Sequence, residues 1–467
     1  MTVLRKTQGL AGAAVAALLL WTGAAPALAE TIEGALIRAY QNNPQLNAQR
    51  ASVRSTDENV PQALSGYRPK IAVTASAGGQ YSDTRSRNAP GQPIQALDGS
   101  NAPRSVGGTI TQTLYNGNQT ANRTRAAESQ VSAAREGLRV LEQSVLLAAS
   151  TIYMDYLRDS AIVEVQRSNT RVLEQTLKQT QDRFNVGEVT RTDVAQSEAQ
   201  LAAGRTQLLT AESNLTTTRA NYRRIIGNDP VSLAPGSPVD FFFNATATTE
   251  IYTGLIENPN VTAAMYGIDV SYLQVKINEG ALFPTVTLQG SVQQAWDSTL
   301  QLPRSFNASA TAQVVVPIYQ GGAEYALIRQ SKESLAQQRL NLDLVRDQTR
   351  ATIAQAWGQL IAGRSQVASA QAQVTASEIA LNGVREEARV GQRTTLDVLN
   401  AQQALVNARV ALVTAQHDRV VASYAVLNAV GRLSPLTLKL RTSVYDPNVH
   451  YQQVRDSWGG IRTPDGH

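Results

Sequence analysis

The chain has 467 residues, 42 basic against 37 acidic side chains, 3 histidines and no cysteine. Without cysteine there are no disulfides, no thiol chemistry and no lipid-modified cysteine. A formal charge of +5 is too mild to argue for nucleic acid as a partner.

Residues 1–29 form an expected export signal. Arg5 and Lys6 supply its basic start, Leu10 to Leu20 an apolar run too short to span a bilayer, and Ala27-Leu28-Ala29 a small-x-small cleavage site. A mature chain starting near Glu30 keeps 40 basic against 37 acidic residues. Beyond the signal no apolar run approaches the roughly 18 residues that a membrane-spanning helix requires. An exported chain of this kind is either soluble outside the cytoplasm or enters an outer membrane as β-strands.

In chain order, a helical start leads to a β-hairpin over about residues 70–115. Ile71 to Tyr81 alternates apolar with small or polar residues, and Val106, Gly108, Ile110 and Leu114 alternate with Gly107, Thr109, Thr111 and Thr113. The loop between these strands, RNAPGQPIQALDGSNAP, is rich in Pro and Gly. From Arg104 to Asp229 proline is absent. Leu138, Leu141, Val145, Ala148 and Ile152 step by three and four, and Val194, Leu201, Leu208, Leu215 and Tyr222 by seven. These heptad patterns predict very long helices packed as coiled-coil neighbours. A continuous helix from Asn118 to about Phe184 would be on the order of 100 Å long. A second hairpin follows over about 284–319, with Val286, Leu288, Gly290 and Val292 in one strand and Phe306, Ala308, Ala310, Ala312, Val314 and Val316 in the other. A second proline-free stretch, Ile318 to Ser434, carries the stripe Leu396, Leu399, Gln403, Val406, Val410, Val413, His417, Val420, Tyr424 and Leu427.

Strands with one apolar and one uncharged polar face over about ten residues have the pattern of outer-membrane barrel strands. Four cannot close a barrel, and an open edge in lipid would leave backbone groups unpaired. If these strands cross a membrane, several copies must pool them.

The chain also repeats itself. Val186/Val390, Gly187/Gly391, Thr190/Thr394, Asp193/Asp397, Val194/Val398 and Leu201/Leu405 coincide at a constant offset of 204, as do Ile226-Gly227 and Val430-Gly431. Upstream, Asn43-Pro44 pairs with Asn258-Pro259 and Tyr67-Arg68-Pro69 with Leu282-Phe283-Pro284 at an offset of 215, so the first hairpin is 11 residues longer. The expected divisions are a first repeat over 30–227, a connector over 228–258, a second repeat over 259–431 and a tail over 432–467. Each repeat has a helical tip, near 185–193 and near 389–397. Val186-Gly187 and Val390-Gly391 supply helix stops. Thr190 to Asp193 and Thr394 to Asp397 have the form of capping boxes that restart the chain.

These features together resemble the TolC family of outer-membrane efflux channels, over about Thr31 to Leu440, with tips written RFNVGEVTRTDV and VGQRTTLDVL. The resemblance implies a mixed α/β membrane protein of the Gram-negative outer membrane with a large periplasmic portion. It implies a homotrimer in which four strands per chain build a 12-stranded β-barrel in outer-membrane lipid, continuous with a long periplasmic α-helical barrel. It further implies a periplasmic adaptor and an inner-membrane pump, either proton-driven or an ABC transporter, as partners. The function implied is an exit duct for small toxic molecules or secreted proteins, gated at the helical tips. By position Arg393 matches the family's gate arginine, Thr192 and Asp193 its partners, and Asp397 one of two constriction aspartates. The sequence departs from the pattern at Asn400, where the second aspartate would stand, and at Ala388, where the gate tyrosine would. One acidic ring is therefore expected in place of two. Val186, Gly187, Val390 and Gly391 are the implied adaptor contacts. Pro69 and Pro284 sit where helix hands over to strand, and the tail after Leu440 resembles the family's equatorial segments.

Two readings of the tip charges stand side by side. Asp193 and Asp397 can serve only as caps, each worth about 1 kcal/mol, with Arg393 solvated. Capping accounts for an aspartate in both halves but not for an arginine in one, which favours the gate, and the two roles can coexist. No catalytic constellation accompanies them. His417 lies in a heptad stripe, His450 and His467 in the tail, and none has a metal-site spacing; Glu386-Glu387 are adjacent on a helix and expected to be solvated. Tyr153 and Trp357 occupy equivalent repeat positions as expected packing residues. No cofactor and no enzymatic activity are expected. The rival function is a non-conducting trimeric coiled-coil spacer or adhesin, which would need neither alternating strands nor tip charges.

Overall fold

The structure is a computed structural model in which residues 29–87, 90–243, 246–464 and 466 are described. The expected export signal lies outside the described residues except for Ala29, as does His467. Three short helices come first: α1 (Ile32–Asn42), α2 (Pro44–Asp57) and α3 (Asn59–Leu64). Strands β1 (Lys70–Ala77), β2 (Gln80–Ser86), β3 (Gln95–Asn101) and β4 (Arg104–Asn116) follow, then the helical hairpin α4 (Gln119–Asn185) and α5 (Arg191–Ile226). The second half runs α6 (Ala247–Glu257), α7 (Pro259–Gly280), β5 (Thr285–Thr299), β6 (Leu302–Val315), α8 (Ala323–Arg389) and α9 (Thr395–Val430), and α10 (Pro447–Val454) lies in the tail.

The duplication is metrical. Helices α4 and α8 each have 67 residues, and α5 and α9 each have 36. At 1.5 Å per residue the longer pair reach about 100 Å. The repeated Asn-Pro words begin α2 and α7. Each proline takes the first helical turn, where its missing N–H is not needed. The Asn43 side chain accepts from Gln45 and Leu46 N–H, and that of Asn258 from Asn260 N–H. Their amide groups then reach the end of the long hairpin in the same half, Asn43 to the Ile225 carbonyl and Asn258 to that of Ala429.

One antiparallel sheet has the order β1-β4-β5-β6, so β4 and β5 join the two halves. Register places Ile71, Ile110, Gly290 and Ala310 in one row and Val73, Gly108, Val292 and Ala308 in the next, on the same face. Ile71, Val73, Ile110, Val292 and Phe306 are exposed on it. The other face carries Thr109, Ser291 and Ser309, with the two serine hydroxyls 2.7 Å apart. Within the chain β1 and β6 are open edges, which could not face lipid unpaired.

The first hairpin differs from expectation. The alternation of Ile71 to Tyr81 is not one strand: the chain breaks at Gly78-Gly79, and a separate ribbon of β2 and β3 pairs Gln80 with Asn101 through Ser86 with Gln95. Part of the expected Pro/Gly-rich loop is therefore β3. Backbone pairing, not side-chain alternation, holds this polar ribbon, so the pattern did not disclose it. The stripe on α9 is also only half of what is buried. Leu405, Ala408, Ala415 and Ala422 form a second seam beside Leu399, Val406, His417, Val420, Tyr424 and Leu427, whereas Leu396 is exposed. Helix α9 packs on α8 through one seam and against α4 through the other.

The main core sits midway along the molecule. Ile32, Leu36 and Tyr40 of α1 pack on Leu146, Ala149 and Tyr153 of α4, on Tyr222 and Ile226 of α5, and on Tyr424 and Leu427 of α9. Tyr153 is fully buried, its hydroxyl 2.7 Å from the Glu30 carbonyl oxygen and 2.6 Å from that of Ala234. Trp357 packs at the edge of a second cluster with Ile353 and Leu360.

Candidate functional site at the helical tips

The two helical turns at 185–193 and 389–397 are built alike. Helix α4 ends with Gly187 at φ +80°, and α8 with Gly391 at φ +79°. In the first turn the N–H of Gly187 bonds the Phe184 carbonyl at 3.0 Å and that of Glu188 the Arg183 carbonyl at 2.9 Å. Gly391 to Ala388 and Gln392 to Glu387 repeat the pair at 3.2 and 2.9 Å. This is a Schellman ending, whose left-handed residue favours glycine. A Cβ at either glycine would meet nothing within 4 Å, so conformation and not crowding selects glycine here.

A capping box then restarts each chain. Thr190 N–H donates to the Asp193 carboxylate at 2.9 Å and Asp193 N–H to the Thr190 hydroxyl oxygen at 3.4 Å. The Thr394 and Asp397 distances are 3.0 and 3.2 Å. The Thr190 hydroxyl, then its N–H, hold the Asp193 carboxyl below the ordinary carboxylate range, with Arg183 adding to the effect. The N–H of Thr394, then its hydroxyl, do the same for Asp397, helped by Arg393. Both aspartates therefore stay ionised into mildly acid solution.

An ion pair crosses each turn with reversed polarity. In the first tip Arg183 on the helix reaches Glu188 in the turn, Nε to Oε2 2.9 Å. In the second, Glu387 on the helix reaches Arg393 beyond the turn, again at 2.9 Å. Arg183 and Glu387 occupy equivalent positions of the repeat. Glu386 and Glu387 lie on a solvated face, as expected, and each also has a cation partner: Glu386 meets Arg389 and Glu387 meets Arg393, both at 2.9 Å. The first is an i,i+3 pair within α8, and only the second depends on the turn at Gly391. Opposite charges at equivalent places in two similar turns were the available signal.

Between the tips lies a cleft of 680 Å³, lined by residues including Arg183, Glu188, Asp193, Arg385, Ala388 and Arg393. It brings Asp193 and Arg393 to one space, but the ion pair that Arg393 makes within the chain is with Glu387 and not with Thr192 or Asp193. Thr192 is exposed on the first turn of α5. Asn400 is exposed on α9, three residues beyond Asp397 and so on the same helix face. Val186 and Val390 are 72% and 71% exposed, an apolar pair presented to solvent at equivalent points. Behind the cleft Leu173, Leu201 and Leu399 knit the two hairpins together. The Asn169 and Gln402 side chains bond across them at 3.3 Å, and Gln200 and Gln403 at 3.1 Å.

At the other end, Pro69 lies between the short turn Ser65–Tyr67 and β1, and Pro284 between α7 and β5. Among the described residues no group of three or more His, Asp or Glu could hold a metal ion, and no helix is long and apolar enough to cross a membrane. His417 bridges α9 to Asp155 of α4 at 2.9 Å, and His450 bonds the buried Asp57 at 3.0 Å.

Comparison with known proteins places this geometry. The chain is 41% identical to the outer membrane efflux protein BepC of Brucella suis biovar 1 over 470 residues, covering 100% of this chain and 99% of that protein. It is 27% identical to the outer membrane protein TolC of Vibrio cholerae, covering 87% and 92%. The crystal structure of the Campylobacter jejuni CmeC outer membrane channel superposes with a TM-score of 0.74 at 16% identity, covering 91% of this chain and 89% of that one. The family described as outer membrane efflux protein matches residues 35–228 and 251–432, the greater part of both halves. The chain belongs to the outer membrane efflux protein family.

Proposed function

We propose that this protein is the exit duct of a tripartite efflux or type I secretion system. Three copies would close the barrel, β6 of one pairing with β1 of the next, and their helical hairpins would continue it as a tunnel through the periplasm. The observation that carries this reading is the direct continuity between an edge-open sheet with an apolar face and hairpins of about 100 Å. A spacer or adhesin has no use for such a sheet.

In this reading the tips are the gate. Asp397 supplies one ring of three carboxylates, and Asn400 leaves the second ring uncharged. Arg393, released from Glu387, has Asp193 and Thr192 across the cleft as alternative partners. The exposed Val186-Gly187 and Val390-Gly391 turns are the surface offered to a periplasmic adaptor, and an inner-membrane pump feeds the duct.

The test is complementation in a Gram-negative strain that lacks its own channel of this type and retains the adaptors and pumps that channel served. Resistance to toxic compounds, or secretion of a substrate protein, is expected to return. The double variant Val186→Asp/Val390→Asp should assemble in the outer membrane yet fail to restore export. A wild-type protein that reaches the outer membrane and restores neither activity contradicts the proposal.

A further inference from the structure

The tail is not simply wrapped around the middle of the molecule. It climbs α4 toward the sheet. Its lower end is fixed at α2, where His450 Nδ1 lies 3.0 Å from Asp57 and Arg135 donates to the Asn448 side chain at 2.8 Å. Tyr451 lies under the Arg135 guanidinium, 5.0 Å from the ring centroid, and packs on the cluster of Val60, Ala127 and Val131. Arg455 then reaches Glu128 at 3.7 Å. The contacts on α4 thus move from Arg135 to Glu128, about 10 Å toward the end that joins β4. Finally Arg68 donates to the Ser457 carbonyl, and its guanidinium stacks over the Trp458 ring at 4.8 Å.

Arg68 stands two residues before the first residue of β1. At this level every strand end carries an exposed aromatic: Tyr67 before β1, Tyr115 at the end of β4, Phe283 before β5 and Tyr319 beyond β6. Such a ring marks the membrane–water interface of a barrel. Trp458 joins this level from the tail through Arg68, 75% exposed, and Ile461 beyond it is fully exposed. Arg68 and Lys70 place cations at the same level, and Arg462 follows Ile461 in the chain.

We propose that residues 458–462 form an interfacial foot that inserts Trp458 and Ile461 into the periplasmic leaflet of the outer membrane. The ring of Trp458 sits at the glycerol level, and the neighbouring guanidinium and ammonium groups hold anionic phospholipid headgroups. The occupant is lipid because the patch continues the barrel's own interface and combines apolar with cationic groups. The inference rests on the outer-membrane placement of the sheet and is independent of the gate and the cargo.

Two measurements test it. In the variant Trp296→Phe/Trp357→Phe, Trp458 is the sole tryptophan beyond residue 29. Reconstituted in phosphatidylethanolamine and phosphatidylglycerol vesicles, its emission should be quenched at least two-fold by lipids brominated near the headgroup and less by lipids brominated deep in the chains. Because the chain lacks cysteine, Ile461→Cys takes a single spin label at a position with no packing to lose. That label should collide more with oxygen than with a water-soluble nickel chelate. Unquenched emission overturns the proposal, whether it is red-shifted by water or blue-shifted by burial on a neighbouring copy, and so does a label preferring the chelate.

Discussion

His417 is 7% exposed in the seam between α4 and α9, with Asp155 at 2.9 Å on one ring nitrogen and Asp418 at 2.9 Å on the other. Burial alone would lower its pKa, and Arg158 pushes the same way. The contacts with Asp155 and Asp418 outweigh both and hold it above the ordinary histidine value. A raised folded pKa means that the imidazolium stabilises the fold fully below pH ~6.5 and that this stabilisation is lost as pH rises through the folded pKa. Asp155 behaves oppositely. Burial raises its pKa, but His417 and Arg158 bring it below the usual value, so its contribution is present above pH ~3.9 and lost as acid titrates it. The thermal midpoint of the detergent-solubilised protein should therefore fall between pH 6 and 9, and His417→Gln should flatten that fall; a variant with the wild-type slope contradicts the assignment. At the tip, Asn400→Asp would add a second ring of carboxylates one turn from Asp397. It should strengthen block by trivalent cations in planar bilayers, and an unchanged block would remove the one-ring account. The Thr-x-x-Asp boxes were legible in the sequence because a capping box is a contact over three residues. The Glu387–Arg393 pair was not, since six residues separate the partners and only the left-handed turn at Gly391 brings them together.

The tips are two copies of one turn whose crossing ion pairs have opposite polarity. Each pair is exposed, so it contributes little to stability and salt screens it. Its interest is directional: in the second tip the cation lies beyond the turn and the anion on the helix. A double-mutant cycle on Glu387→Gln and Arg393→Gln, read as protection of the first turn of α9 in hydrogen exchange, should give a small coupling at low salt and none at 1 M; a coupling insensitive to salt would show that the two act through packing instead. At this scale the long helices and their ends were readable from proline-free heptads closed by Val-Gly. Strand number was not: β2 and β3 lack an apolar face, and a polar ribbon leaves no alternation to detect. The second seam of α9 escaped for a different reason. A helix packed on two sides buries Leu405 and Ala408 as well as Leu399 and Val406, and a single stripe describes half of it.

The chain exposes 28668 Å² of surface, against roughly 17,000 Å² for a compact monomer of its 50.2 kDa mass. Its largest core cluster sits in the middle, with only small clusters along the helices toward the tips and the sheet. The excess surface, the two open sheet edges and the apolar sheet face are one fact seen three ways: a single copy is a stave, not a barrel. The repeat offset made the stave legible, because it set both hairpins at one end and both tips at the other. Which staves adjoin which was not readable, since the sequence records no edge partner. The measurement that bears most directly on the whole account is single-channel recording of the purified protein in a planar bilayer. A duct narrowed at its tips should give discrete, long-lived openings of small conductance that rise several-fold in Arg393→Ala. A protein that inserts as a trimer and passes no current in either form would be a spacer, and the account would fail.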